Sequence, residues 1–365
     1  MSFNFPNSPN TNDAYTPVGG PTYVWDGQKW VMTGTTSVGV TAQAYNRIVN
    51  GAMQHSQENG DTASAIINYY MADQWRASGS GTATWSFKRQ AGASLYGGSY
   101  FLSLSTTTTM TMAAGDYYSI WQPLEGVRMA DFQWGTANAK QVVLRFGFSG
   151  PLGTYTMSLR TPGSPFRRYA APFTVTQANQ WQAFTFVIPG DTTVSSAWAT
   201  DTNQAVGLWI VLASGTTQAS NIAGWSGAGS VALPGTENNI TSGDVFQLSD
   251  VGLYLDPDNT GVPPKWVMPD YASELAACQR YYQFGINSIF SGNVTSPAQY
   301  FAYYKVAPAM RTTPTITGAN GANSSFPATV GTFQWLNDGF YEARAANATA
   351  NGALFRSSCI ANARM

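Results

Sequence analysis

Val142-Val143-Leu144-Arg145-Phe146-Gly147-Phe148-Ser149 places Val142, Leu144, Phe146 and Phe148 on one parity. Successive side chains of an extended chain point to opposite faces, so this stretch reads as a strand with one strongly apolar face. The pattern recurs on both sides of it. It is seen in Thr82–Arg89 (Ala83, Trp85, Phe87) and Tyr100–Ser105 (Tyr100, Leu102, Leu104). It returns in Tyr155–Leu159, Tyr169–Val175, Phe184–Ile188 and Val206–Leu212. Period two with one polar face indicates antiparallel sheets, each covered on one side. About seven to nine such strands between residues 50 and 257 indicate a two-sheet sandwich or jelly roll. The run Val245–Leu255 changes phase: Phe246 and Leu248 share one parity, Val251, Leu253 and Leu255 the other. A bulge near Ser249-Asp250 reconciles them.

Composition agrees with an all-β chain. Charged residues are 10% of the 365, against about a quarter in an ordinary soluble domain. Gly, Thr, Ser and Asn take their place, and these are poorer helix formers than Lys and Glu. The length favours more than one core. Pro6, Pro9, Pro17 and Pro21 break regular structure early. Then Thr22-Tyr23-Val24-Trp25 and Gln28-Lys29-Trp30-Val31 flank Asp26-Gly27, a two-residue hairpin signal that sets Tyr23 opposite Trp30. Tyr23, Trp25 and Trp30 share one face, which a lone hairpin cannot bury. Its cover is either the rest of this chain or another subunit. Residues 35–49 read as a linker.

Asp256-Pro257-Asp258-Asn259-Thr260-Gly261 and Pro263-Pro264 form a turn-rich junction. A helix near 271–282 comes next, with Asp270 as its cap and Leu275, Cys278 and Tyr282 as its stripe. Strands return at Tyr300–Val306, Thr332–Leu336, Phe340–Arg344 and Leu354–Ile360, with a turn at Asn337-Asp338-Gly339. The resulting division is an N-terminal hairpin anchor over 1–40, an antiparallel jelly-roll sandwich over 41–257, and a small C-terminal β-domain over 258–365 that begins with one short helix.

The sequence argues against several functions. The net charge is −1, and basic runs stop at two residues (Lys88-Arg89, Arg167-Arg168), so the footprint of a nucleic-acid binder is missing. The sequence has no 18-residue apolar stretch of the kind that spans a membrane. Met1–Pro6 lacks the basic and apolar regions of a secretory signal. Cys278 and Cys359 read as reduced, buried thiols rather than a disulfide framework. His55 is the one histidine, which leaves no His-based metal cluster and no nucleophile elbow; it reads as an ordinary polar residue. Paired carboxylates are the remaining catalytic route, and Glu58 with Asp61 and Asp244 with Asp250 are the candidates. Glu237, Asp244 and Asp250 are also the acids that a calcium ion would use, but their spacing matches no calcium loop, and they read as turn and bulge residues. The expectation is therefore no enzyme, no cofactor and no metal.

Phe5-Pro6-Asn7-Ser8-Pro9 followed by Tyr23–Trp30 resembles the short N-terminal module of phage tail-fibre and virion structural proteins, although Asn12-Asp13-Ala14 stands where that family has a glycine before its first tyrosine. Arg47-Ile48-Val49-Asn50-Gly51-Ala52-Met53 is similar to the entry of phage fibre sandwich domains. Leu124–Arg128, Trp134–Lys140, Ile188–Thr193 and Tyr271–Tyr282 are similar to the same family, and Ala309–Ile316 resembles the start of its C-terminal domain. The resemblance implies a virion protein, on a tail or a capsid, with a carbohydrate-binding-module-like jelly roll and a homotrimeric assembly. The aromatic face of the N-terminal hairpin suits attachment to other virion proteins, and the low charge with much amide, hydroxyl and aromatic surface suits contact with host surface polysaccharide; the alternatives are an adaptor or capsid decoration with no receptor role, and a polysaccharide depolymerase. Trp198 and Trp225, in Gly/Ser/Asn-rich loops, are the candidates for stacking on sugar rings; the alternative is that each caps the edge of the core. Tyr23, Trp25 and Trp30 are the candidates for the virion anchor.

Overall fold

The computed structural model describes residues 5–17, 22–33, 45–193, 197–327, 331–336 and 338–365. The chain divides into two compact units, Met1–Tyr45 and Asn46–Met365.

In the first unit, Thr22–Trp25 pairs antiparallel with Trp30–Thr33, and a short third strand, Ala14–Tyr15, adds to the other edge of Thr22–Trp25. The register differs from the expected one: Trp25 faces Trp30, and Tyr23 faces Met32. The turn holds four residues rather than two, because the Asp26 carboxylate accepts from the backbone N–H of both Gln28 and Lys29, each at 2.8 Å, and so organises a wider loop. The aromatic face is covered in part within the unit, and Tyr23, Trp25 and Trp30 stay half-exposed. Phe5 stacks on Trp30 (5.6 Å) and meets Tyr23 edge-on (4.9 Å), and Tyr15 flanks both Phe5 and Trp30. Most of the linker expected over 35–49 lies outside the described residues. Its end is not a linker, since Ile48 and Val49 are buried.

The second unit is built on the expected sandwich. One sheet has five strands in the order Gln182–Ile188, Val142–Ser149, Val245–Leu255, Tyr100–Thr106, Trp85–Ala91. The facing sheet has seven, in the order Gly224–Ser226, Arg168–Val175, Gly153–Arg160, Gln204–Ser214, Tyr117–Glu125, Trp75–Ser80, Tyr70–Ala72. Every pairing in both is antiparallel. The core between them takes the alternate residues of the apolar parities, among them Phe87, Leu102, Leu104, Phe146, Phe148 and Tyr155. The bulge falls where the phase change requires it: Gly147 pairs with Ser249 and Arg145 with Gly252, which leaves Phe146 opposite two residues.

Asp270 caps the one α-helix found among the described residues, Tyr271–Gln279, by accepting from Ser273 N–H at 2.9 Å. The helix is shorter than expected. Tyr282 belongs to the next strand, Tyr282–Val294, and the buried partners of Cys278 are Val49 and Tyr281. Neither cysteine is in a disulfide, and both are buried. Two three-stranded sheets complete the unit: Tyr282–Val294, Ala350–Asn362, Thr315–Ser324 and Gln299–Lys305, Gly339–Ala345, Thr332–Leu336. The expected turn at 337–339 lies partly outside the described residues.

Glu125, with no exposure, is a buried tie between the seven-stranded sheet and this C-terminal part. It accepts from Arg280 Nη2 and from Tyr281 Oη, each at 2.8 Å. Removing one partner of a buried pair leaves the other desolvated and unmatched. Glu125→Ala is expected to destabilise the chain by about 3 kcal/mol, read as a lower midpoint in urea unfolding, whereas Asp61→Ala, which removes an exposed partner of Arg89, is expected to cost under about 1 kcal/mol.

Candidate functional site

The two tryptophans singled out in the sequence meet a third. Trp198 and Trp225 lie 5.5 Å apart with their rings nearly perpendicular (88°). Trp134 lies 5.1 Å from Trp198 and 5.0 Å from Trp225, also edge-to-face. Each ring thus presents its positive edge to the negative face of a neighbour, the favoured arrangement for aromatic pairs.

Their positions result from the local backbone. Trp225 is in the edge strand Gly224–Ser226 and donates from Nε1 to Pro189 O at 2.7 Å. Trp134 comes just after the 3-10 turn Ala130–Phe132 and donates from Nε1 to Lys140 O at 2.9 Å. Trp198 comes from the 189–203 connection. Gly135, at φ +82, holds the turn that lets Trp198 in, since a Cβ there would stand 2.5 Å from Trp198 Cδ1. Gly135 N–H in turn donates to Asp191 O at 2.7 Å. Asp191 anchors this end of the sandwich. Arg167 Nε and Nη2 donate to its two carboxylate oxygens, each at 2.6 Å, and Thr193 N–H adds a third bond at 3.2 Å. Burial alone would raise the Asp191 pKa, but the Arg167 fork and the Thr193 bond outweigh it and hold the carboxyl below the ordinary carboxylate range.

A cavity of about 260 Å³ opens against this cluster, lined by Met129, Gln133, Trp134, Thr136, Asn138 and Trp198. Trp134 is buried and Trp198 half-buried, while Gln133, Thr136, Asn138 and Thr200 are exposed. The indole Nε1 of Trp198 is buried with no hydrogen-bond partner. The arrangement is two aromatic walls beside exposed amides and hydroxyls, and its lining contains no charged group. It can hold a small ligand that has both an apolar face and hydroxyls. Trp225 supports the walls rather than lining the cavity. Trp134 was visible in the sequence only as part of a family-like segment; nothing in its spacing announces that it joins two residues 64 and 91 positions away (198 − 134 and 225 − 134).

The other candidates have structural roles. His55 is buried, its Nε2 lies 3.0 Å from Tyr271 O, its ring lies against Tyr271, and burial lowers its pKa. Glu58 pairs with Arg364 and Asp61 with Arg89. Asp244 accepts from Thr241 N–H, and Glu237 from Thr154 N–H. Asp250 is buried in the bulge, where it accepts from Ser94 Oγ and Tyr96 N–H. Among the described residues no group of three or more His, Cys, Asp or Glu side chains is placed to hold a metal ion.

No family model matches the chain. No curated protein is similar to it in sequence. Solved structures similar to it include tailspike protein 4 of bacteriophage CBA120 (12% identity over 58% of this chain and 21% of that one, TM-score 0.31). They also include the module TmCBM61 in complex with beta-1,4-galactotriose (12% identity, 58% and 99%, TM-score 0.29). A third is the family 11 carbohydrate-binding module of a Clostridium thermocellum cellulase (9% identity, 54% and 97%, TM-score 0.29). This chain thus spans about a fifth of the tailspike chain that it matches.

Two outcomes are expected at this site. Gly135→Ala combines a disfavoured positive φ with a clash against Trp198 and should destabilise by about 2 kcal/mol, with a change in tryptophan fluorescence. The depressed pKa of Asp191 means that its stabilisation is complete above the unfolded carboxylate value of about 3.9 and is lost as pH falls through the lower folded value. The stability difference between the wild type and Asp191→Asn should therefore be constant from pH 7 to 5 and shrink below about pH 4, as measured by urea unfolding at each pH.

Proposed function

We propose that this chain is a structural protein of a bacteriophage virion, of the tail-fibre or spike kind, and that its sandwich binds host surface glycan without cleaving it. The observation that carries the glycan reading is the uncharged, two-walled cavity at Trp134 and Trp198, with the Gln133 and Asn138 amides at its mouth. Sugars offer apolar ring faces to stack and hydroxyls to hydrogen-bond, and this lining matches both. The non-catalytic reading is supported by the carboxylates. The two candidate pairs are each held by other groups, Glu58 and Asp61 by arginines and Asp244 and Asp250 by loop donors.

The virion reading draws on the ordered resemblance along the sequence. In this reading the first unit, with Tyr23, Trp25 and Trp30 half-exposed around Phe5, joins the chain to other virion proteins, and the chain assembles as a homotrimer. Weak single sites then gain by avidity, by roughly 10²- to 10⁴-fold when several copies engage one surface.

The test is a pull-down of host cells by the full chain before and after their surface polysaccharide is stripped. Binding that disappears on stripping is expected. Trp198→Ala should weaken it about tenfold, close to 1.4 kcal/mol per site, and Trp225→Ala less. Binding unaffected by stripping would point to a protein receptor, and no binding at any valency would make the chain an adaptor or capsid decoration. Light scattering should give three times the 39.2 kDa chain mass.

A further inference from the structure

The outward face of the seven-stranded sheet carries a second cluster that the tryptophan cavity does not use. Pleating directs Arg76, Trp121, Trp209 and Ser158 outward from four adjacent strands. They lie in register, Arg76 opposite Trp121, Trp121 opposite Trp209, and Trp209 opposite Ser158. In the next row Arg160 lies opposite Gly207 on one side and Arg168 on the other. Gly207 is required here, because a Cβ would strike the indole Nε1 of both Trp121 and Trp209. The Arg76 guanidinium lies 3.8 Å from the Trp121 ring centre, and that of Arg160 lies 5.2 Å from the Trp209 ring. The segment 219–233 packs on this face, with Val231 and Ala232 against Trp121 and Trp209, and leaves Arg76 and Arg160 half-buried. Arg168, fully buried, holds it there by donating to Ile222 O, Ser230 O and Oγ, and Ala232 O, and Arg160 donates to Gly229 O.

Two observations set the shelf apart. Lys plus Arg and Asp plus Glu nearly balance over the chain, 18 to 19, yet none of the ion pairs among the described residues includes Arg76, Arg160 or Arg168. Buried polar atoms without a partner also gather here: Arg76 Nε, Arg160 Nε, Arg168 Nε, Trp121 Nε1 and Ser158 Oγ. All five can donate. Trp121 is 5% and Ser158 0% exposed. Arg168 is satisfied by the carbonyls that it holds, but Arg76 and Arg160 have no carboxylate partner, and an anion beside either would offset the cost of its desolvation. Stacking on indole holds the guanidinium planes of Arg76 and Arg160 in place, which suits a fork that must meet a planar or tetrahedral oxyanion.

We propose that this shelf is an anion subsite for an acidic saccharide, in which Arg76 and Arg160 each take a carboxylate of a uronic sugar chain or a phosphate of a phosphorylated one. It rests on the glycan reading of the sandwich, and it adds a charged class of ligand and a second location.

The experiment is calorimetric titration of the full chain with trigalacturonate and with its neutral methyl ester, at 50 and 300 mM salt. The acid is expected to bind at least tenfold more tightly than the ester and to lose affinity severalfold at the higher salt. Arg76→Gln and Arg160→Gln should each lose about tenfold, with Arg356→Gln, which removes an exposed arginine of the C-terminal sheets, unchanged. Arg76→Lys, which keeps the charge and loses the fork, guards against a misfolded Gln variant and should also weaken binding. Inorganic phosphate that displaces trigalacturonate would mark phosphate as the other source of the anion. Equal affinity for acid and ester, or no loss in folded Arg76→Gln and Arg160→Gln, would overturn the proposal. Tighter binding of a short single-stranded oligonucleotide than of trigalacturonate would assign the shelf to nucleic acid and overturn it as well. Loss of the Trp198→Ala effect on host cells, with the arginine results intact, would remove the cavity reading and leave this one standing.

Discussion

A strand can face one core along its whole length only while its pleat parity is kept, and Val245–Leu255 breaks parity in the middle. Phe246 and Leu248 enter the core before the break, and Val251, Leu253 and Leu255 enter it after. The extra residue that makes this possible is Asp250, at φ 53 and fully buried. A buried carboxylate is costly unless its oxygens are matched. Here Ser94 Oγ, Tyr96 N–H and Ser249 Oγ match them, at 3.0, 2.9 and 3.2 Å. The bulge is thus fixed by the loop that joins the neighbouring strands Trp85–Ala91 and Tyr100–Thr106. The bulge in turn positions the chain's entry into the sandwich. Val251 N–H donates to Gly51 O, and the Asn46 side chain donates to Val251 O and accepts from Leu253 N–H. Gly51 has no alternative, because a Cβ would strike Val251 O. Asn50 N–H then meets Glu274, which seats the helix and, beyond it, the C-terminal sheets. A shift of one residue in a single strand would undo the entry segment and the helix together.

The bulge was legible because its cause is a parity change between two apolar runs, and parity is a local property of sequence. The sandwich strands were legible for the same reason. The N-terminal turn was not. Asp26-Gly27 carries the composition of a two-residue turn, but one carboxylate reaching two N–H groups converts it to four residues and moves Tyr23 from Trp30 to Met32. The helix end was misplaced because Tyr282 continues the helical spacing although the chain has already turned into a strand. The third strand, Ala14–Tyr15, is too short to show any period.

The sites divide along the same line. Trp198 and Trp225 stood out because they sit in stretches of small residues, where a large ring has no local reason to be, although the expected loop around Trp225 is the edge strand Gly224–Ser226. Trp121 and Trp209 did not. Tyr117–Glu125 and Gln204–Ser214 are buried on both faces through nearly their whole length, and the outward parity of the second, with Val211 beside Trp209, is itself apolar, so an outward tryptophan in such a strand looks like one more core residue. Their meaning depends on which strands are neighbours, a property of sheet order that no single segment contains.

The scarcity of charge takes on a physical sense once positions are known. Glu125, Arg168, Asp191, Asp250, Glu342 and Arg344 are all buried. Each joins segments that local structure would leave apart: Glu125 the sheet and the helix end, Asp191 two loops, and Glu342 with Arg344 and Ser357 the two C-terminal sheets. Charges used in this way are shielded from salt, and with only 10% of the chain charged much of the surface falls to hydroxyls, amides and aromatic rings. Such a surface competes weakly with water for any single hydrogen bond, so it gains from presenting many groups at once and from fixing the aromatic ones in place beforehand. The tryptophan triad meets that second condition, since each ring is held by the other two and none has to be ordered by a ligand. The arginine shelf meets it in another way, with guanidinium planes already stacked on indole, and it is a part of the sandwich where positive charge has no carboxylate of the chain beside it to compete with a ligand's.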